Sequence, residues 1–291
     1  MGSRWNTRLR TGGLATLLAA AGSLLMVGPG TAQDWKEFRT ARQLGSFEAQ
    51  HVEIAYGAGR LTVGPSSSSL LYDVLIRYDG DRFVPVRSWI DENGVSKLRV
   101  SLRSQDAEST DNLQLELDEF DFDFDLEDLH RLDDGSGRLE LQLSPSIPTD
   151  LAIRVGAAKS VLELGGLSIT NLTIGTGASD TELSFEQANA VEMGELVLQV
   201  GAASFKARQL GNANFGSFRF EGGVGEVTLD FSGDWDRSAT GSIKVGVGAV
   251  KLLIPRELGV RIQRRSFLTA FRAPGFTKQD GEYLSANWDE A

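Results

Sequence analysis

Three aspartates, Asp121, Asp123 and Asp125, alternate with Phe120, Phe122 and Phe124 inside the run LQLELDEFDFDFDLEDL at residues 113–129. Carboxylate oxygens are the natural ligands of a hard cation, so calcium is the chemistry these three residues suggest. Their spacing works against it. On one face of a strand, alternate side chains stand about 7 Å apart along a line, whereas calcium needs oxygens converging from several directions at about 2.3–2.6 Å. No D-x-D-x-D-G loop is present, and no glycine stands between Asp111 and Asp134 to bend the chain. The simpler expectation is an exposed strand whose charges keep it from pairing with other chains. An electrostatic partner surface is a further reading, and Asp121, Asp123 and Asp125 stay as weak calcium candidates.

The other reactive residue types are sparse. There are two histidines and no cysteine, which excludes a thiolate catalyst, a disulfide framework and a cysteine-held metal. His51 sits in an alternating run and His130 at the end of the acidic one, neither beside a nucleophile. A structural role is the expectation for both. Ser66–Ser69 follow Gly64-Pro65 and read as a turn, not a nucleophile elbow. Gly222-Gly223-Val224-Gly225 lacks the lysine and serine of a phosphate loop, and no helix pattern follows it. Paired carboxylates for glycoside chemistry are conceivable in so acidic a chain, but nothing selects two of the 40 acids. The chain is therefore expected to be no enzyme, with no catalytic residue and no cofactor.

The elements that carry these residues are strands. The chain has 291 residues, 33 of them glycine, and a formal charge of -11. So acidic a composition argues against nucleic acid as a partner. Arg4, Arg8 and Arg10 precede an apolar stretch from Leu14 to Val27, and Gly30 and Ala32 occupy small positions after it. That is the pattern of a secretory signal peptide over residues 1–32, cleaved near Ala32. The stretch is short for a membrane span, which needs about 20 residues, and no later segment is apolar enough. Removing three arginines and no acid takes the charge to about -14. The expected product is extracytoplasmic: periplasmic, surface-bound or secreted.

The glycines mark a repeat. Gly156, Gly177, Gly201, Gly223 and Gly246 are 21, 24, 22 and 23 residues apart. Three residues before them stand Ile153, Ile174, Leu198, Phe220 and Ile243. Six after stand Leu162, Leu183, Ala207, Leu229 and Leu252. An inward position eight after is apolar except at Gln209. Gly57 opens a similar unit far upstream, with Ile54 before it and Val63 after. Within each unit the alternation has period two, as in Thr228-Leu229-Asp230-Phe231. A repeat of this size with short strands is one coil of a stack, and a glycine at its corner suits positive φ or close chain approach. The expected fold is all-β: a stacked-coil β-solenoid, single-stranded β-helix-like, over residues 148–291, with a β-rich N-terminal portion, 33–147, packed on it. One short helix is expected at Lys36–Leu44. The aromatic tail beyond Val260, with Phe267, Phe271, Phe276, Tyr283 and Trp288, is expected to cap the last coil. Between Lys251 and Lys278 seven basic residues stand against Glu257 alone, and internal pairing is their expected use.

The stretches LGNANFGSFRFEGGVGEVTLDFSGDWDRSATGSIKVGVGAVKLLIP at 210–255 and VGAAKSVLELGGLSITNLTIGTGASDTELSF at 155–185 resemble the bacterial toast-rack family. These are similar to adhesin-like β-solenoids and to the C-terminal domain of Lia-type envelope-stress proteins. The L-G-N-x-x-F and G-G-V-G-x-x-x-L-D-F elements carry the resemblance, which runs from about Phe47 onward. It implies a stacked-strand protein of the bacterial envelope and no catalytic residues. The N-terminal membrane helices of the Lia-type regulator have no counterpart here. The expectation is an exported, non-enzymatic structural or interaction module whose partner is an envelope protein or glycan. A carbohydrate-active β-helix enzyme, calcium-assisted or not, is one alternative. A regulatory partner of a membrane kinase in envelope-stress sensing is the other.

Overall fold

The structure, a computed structural model, describes residues 34–67, 69–105, 137–265 and 270–288. The leader segment, the acidic run with Asp121, Asp123 and Asp125, and His130 lie outside the described residues. The described chain is all-β apart from one short 3-10 turn at Leu210–Ala213 and scattered bends.

Six long strands form the body: β2 (Ala49–Pro65), β7 (Thr149–Glu163), β8 (Ile169–Ser184), β9 (Met193–Arg208), β10 (Phe215–Asp230) and β11 (Thr240–Leu253). They lie side by side in that order and every pairing is parallel. The registers place like over like. Ile54, Ile153, Ile174, Leu198, Phe220 and Ile243 are successive partners; so are Val63, Leu162, Leu183, Ala207, Leu229 and Leu252. The first five of each row are buried, so two apolar ladders run through one core. Such ladders fix the register, because a slip of one residue would turn every inward side chain out.

Each long strand changes phase at its glycine. In β7, Leu151, Ile153 and Val155 point inward before the corner, and Ser160 and Leu162 after it. One side of the chain can stay inward through a change of parity only if the strand turns a corner there. The corner glycines are required for a steric reason. A Cβ on Gly177 would lie 2.8 Å from the Gly156 carbonyl oxygen, one on Gly201 2.7 Å from that of Gly177, and one on Gly223 2.9 Å from that of Gly201. Close approach of one strand's backbone to the next, not positive φ, is what these positions need. Positive φ belongs to a different glycine at the same corners, Gly59, Gly225 and Gly248.

The upstream unit joins the stack directly. β2 pairs with β7 across a long sequence separation, and Gln50 Nε2 donates a 2.8 Å hydrogen bond to Thr149 Oγ1 between them. On its other side β2 meets two strands. Its first arm pairs with β5 (Val95–Ser104) and its second with β6 (Arg138–Leu143), both parallel. These two strands occupy the place of one long strand, with residues 106–136, acidic run included, interposed at its corner. Beyond them the pairing becomes antiparallel: β4 (Phe83–Glu92) adds to β5, β3 (Leu70–Asp79) to β6, and β1 (Trp35–Gln43) to β3. The N-terminal strands are thus part of the same 11-stranded sheet.

β1 replaces the short helix expected at Lys36–Leu44. The segment pairs with β3 from Trp35 opposite Asp79 to Gln43 opposite Leu70, and two of its neighbours are held by aromatic contacts. Arg42 lies 3.2 Å over the Trp89 ring and Arg77 4.8 Å over Trp35. A long-range ladder outweighs a weak local helical preference.

The exception at Gln209 also has a structural reason. Gln209 adopts φ 55° and ψ 44° and begins the 3-10 turn, so the next residue, Leu210, enters the core instead. That turn and the one before β9 are held by buried asparagines. Asn212 Nδ2 donates to Phe185 O at 2.8 Å, and its Oδ1 accepts from Asp234 N at 2.8 Å. Asn189 Nδ2 donates to Ile169 O and Val191 O, and its Oδ1 accepts from Ile169 N, each at 2.8 Å.

Five buried side-chain polar atoms among the described residues have no such provision, and the largest side chain of the five is Tyr56. The Tyr56 hydroxyl is buried without a hydrogen-bond partner among the described residues, and burial raises its pKa above the ordinary tyrosine value. Folding favours the neutral phenol, so its contribution is intact below pH ~10 and is lost as pH rises beyond the unfolded-state value. Tyr56→Phe is expected to keep or slightly raise stability at neutral pH, by up to about 1 kcal/mol. It should also blunt the loss at about pH 11. Urea denaturation at the two pH values reads both effects; a Tyr56→Phe protein that is clearly less stable at neutral pH would show that the hydroxyl is engaged.

Candidate functional site

The outer faces of the stack carry charge in rows. Arg99 Nε donates to Glu53 Oε2 at 2.6 Å between β5 and β2. Arg208 reaches Glu182 at 3.2 Å between β9 and β8, and Arg219 reaches Glu195 at 2.9 Å between β10 and β9. Lys244 donates to Glu221 at 3.0 Å between β11 and β10. Parallel register sets Glu53 directly beside Arg99 and Glu221 beside Lys244, and it places Arg208 and Arg219 diagonally, two residues along, from Glu182 and Glu195, so opposite charges on neighbouring repeats meet across the surface. The Lys244 hydrogen bond, and then its charge, hold the Glu221 carboxyl below the usual glutamate range. Arg154 of β7 stands in the same register row, linked to Glu221 through Gly175 and Gln199. Burial lowers its pKa, with Glu53 opposing the effect.

One shallow depression interrupts the face at β2, β4 and β5. His51, Glu53, Ser88, Lys97 and Arg99 line it with Ile90 and Leu98. His51 Nδ1 is 3.8 Å from Asp150 Oδ2, with both side chains about half exposed. Ser88 makes no hydrogen bond to His51 among the described residues. The expected structural role of His51 is compatible with this placement, an exposed pair on an outer face. Gly222 and Gly223 lie within β10 at a corner of the stack, so the phosphate-loop likeness dissolves into the repeat. Among the described residues no group of three or more histidine, aspartate or glutamate side chains is placed to hold a metal. The calcium candidates Asp121, Asp123 and Asp125 are outside that set.

The second distinctive surface is β11. It pairs with β10 and with no other described strand, so one edge of its backbone is unpaired among the described residues. Its apolar side chains are open to solvent: Val247 is 68% exposed, and Ile243, Val250 and Leu253 are exposed beside it. The tail forms a small sheet of its own, from β12 (Arg261–Gln263), β13 (Phe276–Gln279) and β14 (Glu282–Ser285) in the order β12-β14-β13. None of these strands pairs with β11, and each has three or four residues against 14 in β11. Three basic residues of the tail are used within it. Arg261 lies 5.0 Å over Trp288 and 3.9 Å from Glu282, Arg264 4.9 Å over Phe271, and Lys278 5.8 Å over Tyr283.

Comparison with known families matches the chain to the N-terminal domain of toast_rack, DUF2154, over residues 31–206 and 189–253. The chain belongs to this toast_rack family. The match takes in every long strand from β2 to β11, so the toast-rack assignment rests on the stack itself. No curated protein matches this toast-rack chain. Among solved structures it is similar to a "putative cell adhesion protein" from Clostridium sporogenes, with 12% identity and a TM-score of 0.50 over 75% of this chain and 98% of that one. A "putative adhesin" from Parabacteroides merdae also aligns, at 10% identity and a TM-score of 0.21, over 75% of this chain and 97% of that one. A "putative lipid binding protein" from Parabacteroides distasonis aligns at 7% identity and a TM-score of 0.21, over 76% and 98%. At such identity the Clostridium likeness speaks for the toast-rack fold, and the two lower scores carry no argument. No helix among the described residues is long and apolar enough to cross a membrane.

The buried asparagines and the unpaired edge were not singled out in the sequence. The asparagines had a signal: Asn212 is the N of L-G-N-x-x-F, and Asn189 precedes β9 at a comparable place in the previous repeat. The edge had one too, since β11 is the last unit to keep the glycine spacing.

Proposed function

We propose that this toast-rack protein is an exported β-solenoid that acts without catalysis, as a structural or interaction module of the bacterial envelope. Each long strand is one coil, and the coils stack into a rigid body whose outer faces meet a protein or glycan. The observation that carries this reading is the set of cross-strand charge pairs on the outer faces, Glu182–Arg208, Glu195–Arg219 and Glu221–Lys244. A rigid ladder holds these groups at fixed spacing with little entropy left to lose on binding. The solved relative from Clostridium sporogenes is described as a cell adhesion protein, and the signal-peptide pattern at residues 1–32 supports an extracytoplasmic location.

Capture from an envelope extract with the purified protein tests the reading. Reversal of Arg208 and Arg219 to glutamate is expected to abolish capture of a partner that the unaltered protein retains, while circular dichroism and melting stay nearly unchanged because exposed pairs contribute little to stability. Capture that survives the reversal would sink the charged-face mechanism. Cleavage of a polysaccharide by the purified protein, with or without calcium, would overturn the non-catalytic reading.

A further inference from the structure

The unpaired edge of β11 has a definite chemistry. Its second arm, residues 249–253, aligns with β10 so that Val250 partners Val227, Leu252 partners Leu229 and Lys251 partners Thr228. Val227 and Leu229 are buried, so Val250 and Leu252 continue the inward rows and Lys251 stands on the outer face between them. Lys251 makes no ion pair among the described residues, and β11 contains Lys244 and Lys251 but no acid. A strand that completes this edge must therefore alternate apolar residues facing inward with acids facing outward.

The edge is poorly suited to itself. In a two-fold antiparallel pairing that keeps inward positions opposite inward positions, Ile243 meets Leu252 of the other copy and Val245 meets Val250. That register sets Lys244 against Lys251 twice, and like charges directly opposite are destabilising.

This chain carries a sequence with the required pattern. Phe120-Asp121-Phe122-Asp123-Phe124-Asp125-Leu126 alternates aromatic and acidic residues with no basic side chain. It has no glycine to follow β11 round its corner, so it matches one arm only. We infer that the acidic–aromatic run of a second copy of this chain adds as a strand to the residue 249–253 arm of β11, with its phenylalanines over the open core and its aspartates against Lys251.

A second copy is favoured by reach. The run is inserted between β5 and β6, at the opposite end of the stack from β11. From β6 to β11 there are six ladder steps, and a strand added beyond β11 lies about 34 Å away at ~4.8 Å per step. From Leu129 to Gly137 the chain spans at most about 29 Å fully extended, so the whole run cannot lie on its own β11. Using only 120–126 leaves Leu126 to Gly137, at most about 40 Å, to run nearly straight past the entire stack. A neighbouring copy meets no such limit. One end of each molecule then binds the other end of the next, a heterologous contact that propagates head to tail. This inference is independent of what the outer faces bind.

The absence of cysteine allows a clean test. Two full-length single-cysteine proteins, Asp123→Cys and Lys251→Cys, are mixed under mild oxidation. The expected result is a disulfide between the two variants, formed at least about tenfold faster than between Asp123→Cys and a Lys97→Cys control. Salt should slow it, since opposite charges assemble the pair. Sedimentation of the unaltered protein should show concentration-dependent association, reduced by reversing Asp121 and Asp125 to lysine. Equal cross-linking to the control site, no bond between the variants, or an unaltered protein that stays monomeric at high concentration would each overturn the inference. So would a doubly substituted chain that closes the bond within a monomer.

Discussion

Gly201→Ala is expected to destabilise the protein by about 3 kcal/mol or more, while Gly57→Ala leaves it unchanged or stabilises it by up to about 1 kcal/mol. The two residues hold the same place in the repeat, at the corner of β9 and of β2. A Cβ on Gly201 would stand 2.7 Å from the Gly177 carbonyl oxygen and 3.2 Å from both the Gly177 carbonyl carbon and the Thr176 carbonyl oxygen. All three are backbone atoms of the neighbouring coil, so relief requires the stack itself to part. At Gly57 the same Cβ meets nothing within 4 Å among the described residues, where the adjacent layer is split between β5 and β6. A flexible residue then becomes an ordinary one, and the unfolded chain loses freedom. Urea midpoints of the two variants read the contrast directly. Equal, small effects at both positions would mean that the coils do not approach as closely as the ladder of carbonyls indicates.

Asn212→Ala should be nearly as damaging, at about 2–4 kcal/mol. The side chain is buried and bridges two turns. Its loss leaves the Phe185 carbonyl and the Asp234 amide without their partner inside the protein, and each orphaned group costs about 1–3 kcal/mol. Asn212→Asp separates shape from hydrogen bonding. An aspartate still accepts from Asp234 N, but when ionised it faces the Phe185 carbonyl with no proton to donate. Burial and that carbonyl both favour the protonated acid, so the folded-state pKa lies above the unfolded one. The sign follows: the variant is most stable below the unfolded pKa of ~4 and loses stability as pH rises through the higher folded value. Denaturation of Asn212→Asp across acidic pH measures it, against a native protein in which this site does not titrate.

The two variants also mark how far the residues alone disclosed the structure. The corner glycines, the inward rows and the repeat length of 21 to 24 residues were legible in the sequence, because parallel pairing in register repeats the same environment at each strand and selects the same residue type there. The reason for the glycines was half legible: the alternatives were positive φ and close approach, and the structure divides them between Gly201 and Gly225. The helix expected at Lys36–Leu44 is a strand, since its pairing with β3 depends on partners 27 to 44 residues away. The exception at Gln209 looked like a flaw in the pattern. It is a left-handed turn residue that passes its inward place to Leu210.

The candidate surfaces were less legible than the fold. Charge was visible as composition and as blocks, but which glutamate meets which arginine depends on register between strands. Glu195 and Arg219, for example, are 24 residues apart in sequence and 2.9 Å apart in the structure. The basic residues of the tail were expected to pair internally with acidic strands; which groups they meet was not legible, and Arg261, Arg264 and Lys278 lie against Trp288, Phe271 and Tyr283 of the same tail.

The sequence by itself determined that this is an all-β repeat with an apolar row on each arm and a glycine at each corner, because period-two alternation and fixed spacing are local properties of the chain. Only the tertiary structure decided that the Gly57 unit sits against the Gly156 unit, that β5 and β6 share the layer beyond it, and that β11 is left with an unpaired edge among the described strands. Those outcomes depend on which strand lies beside which. Parallel pairing between distant segments is set by the combined packing of the whole stack, and no single stretch of residues records it.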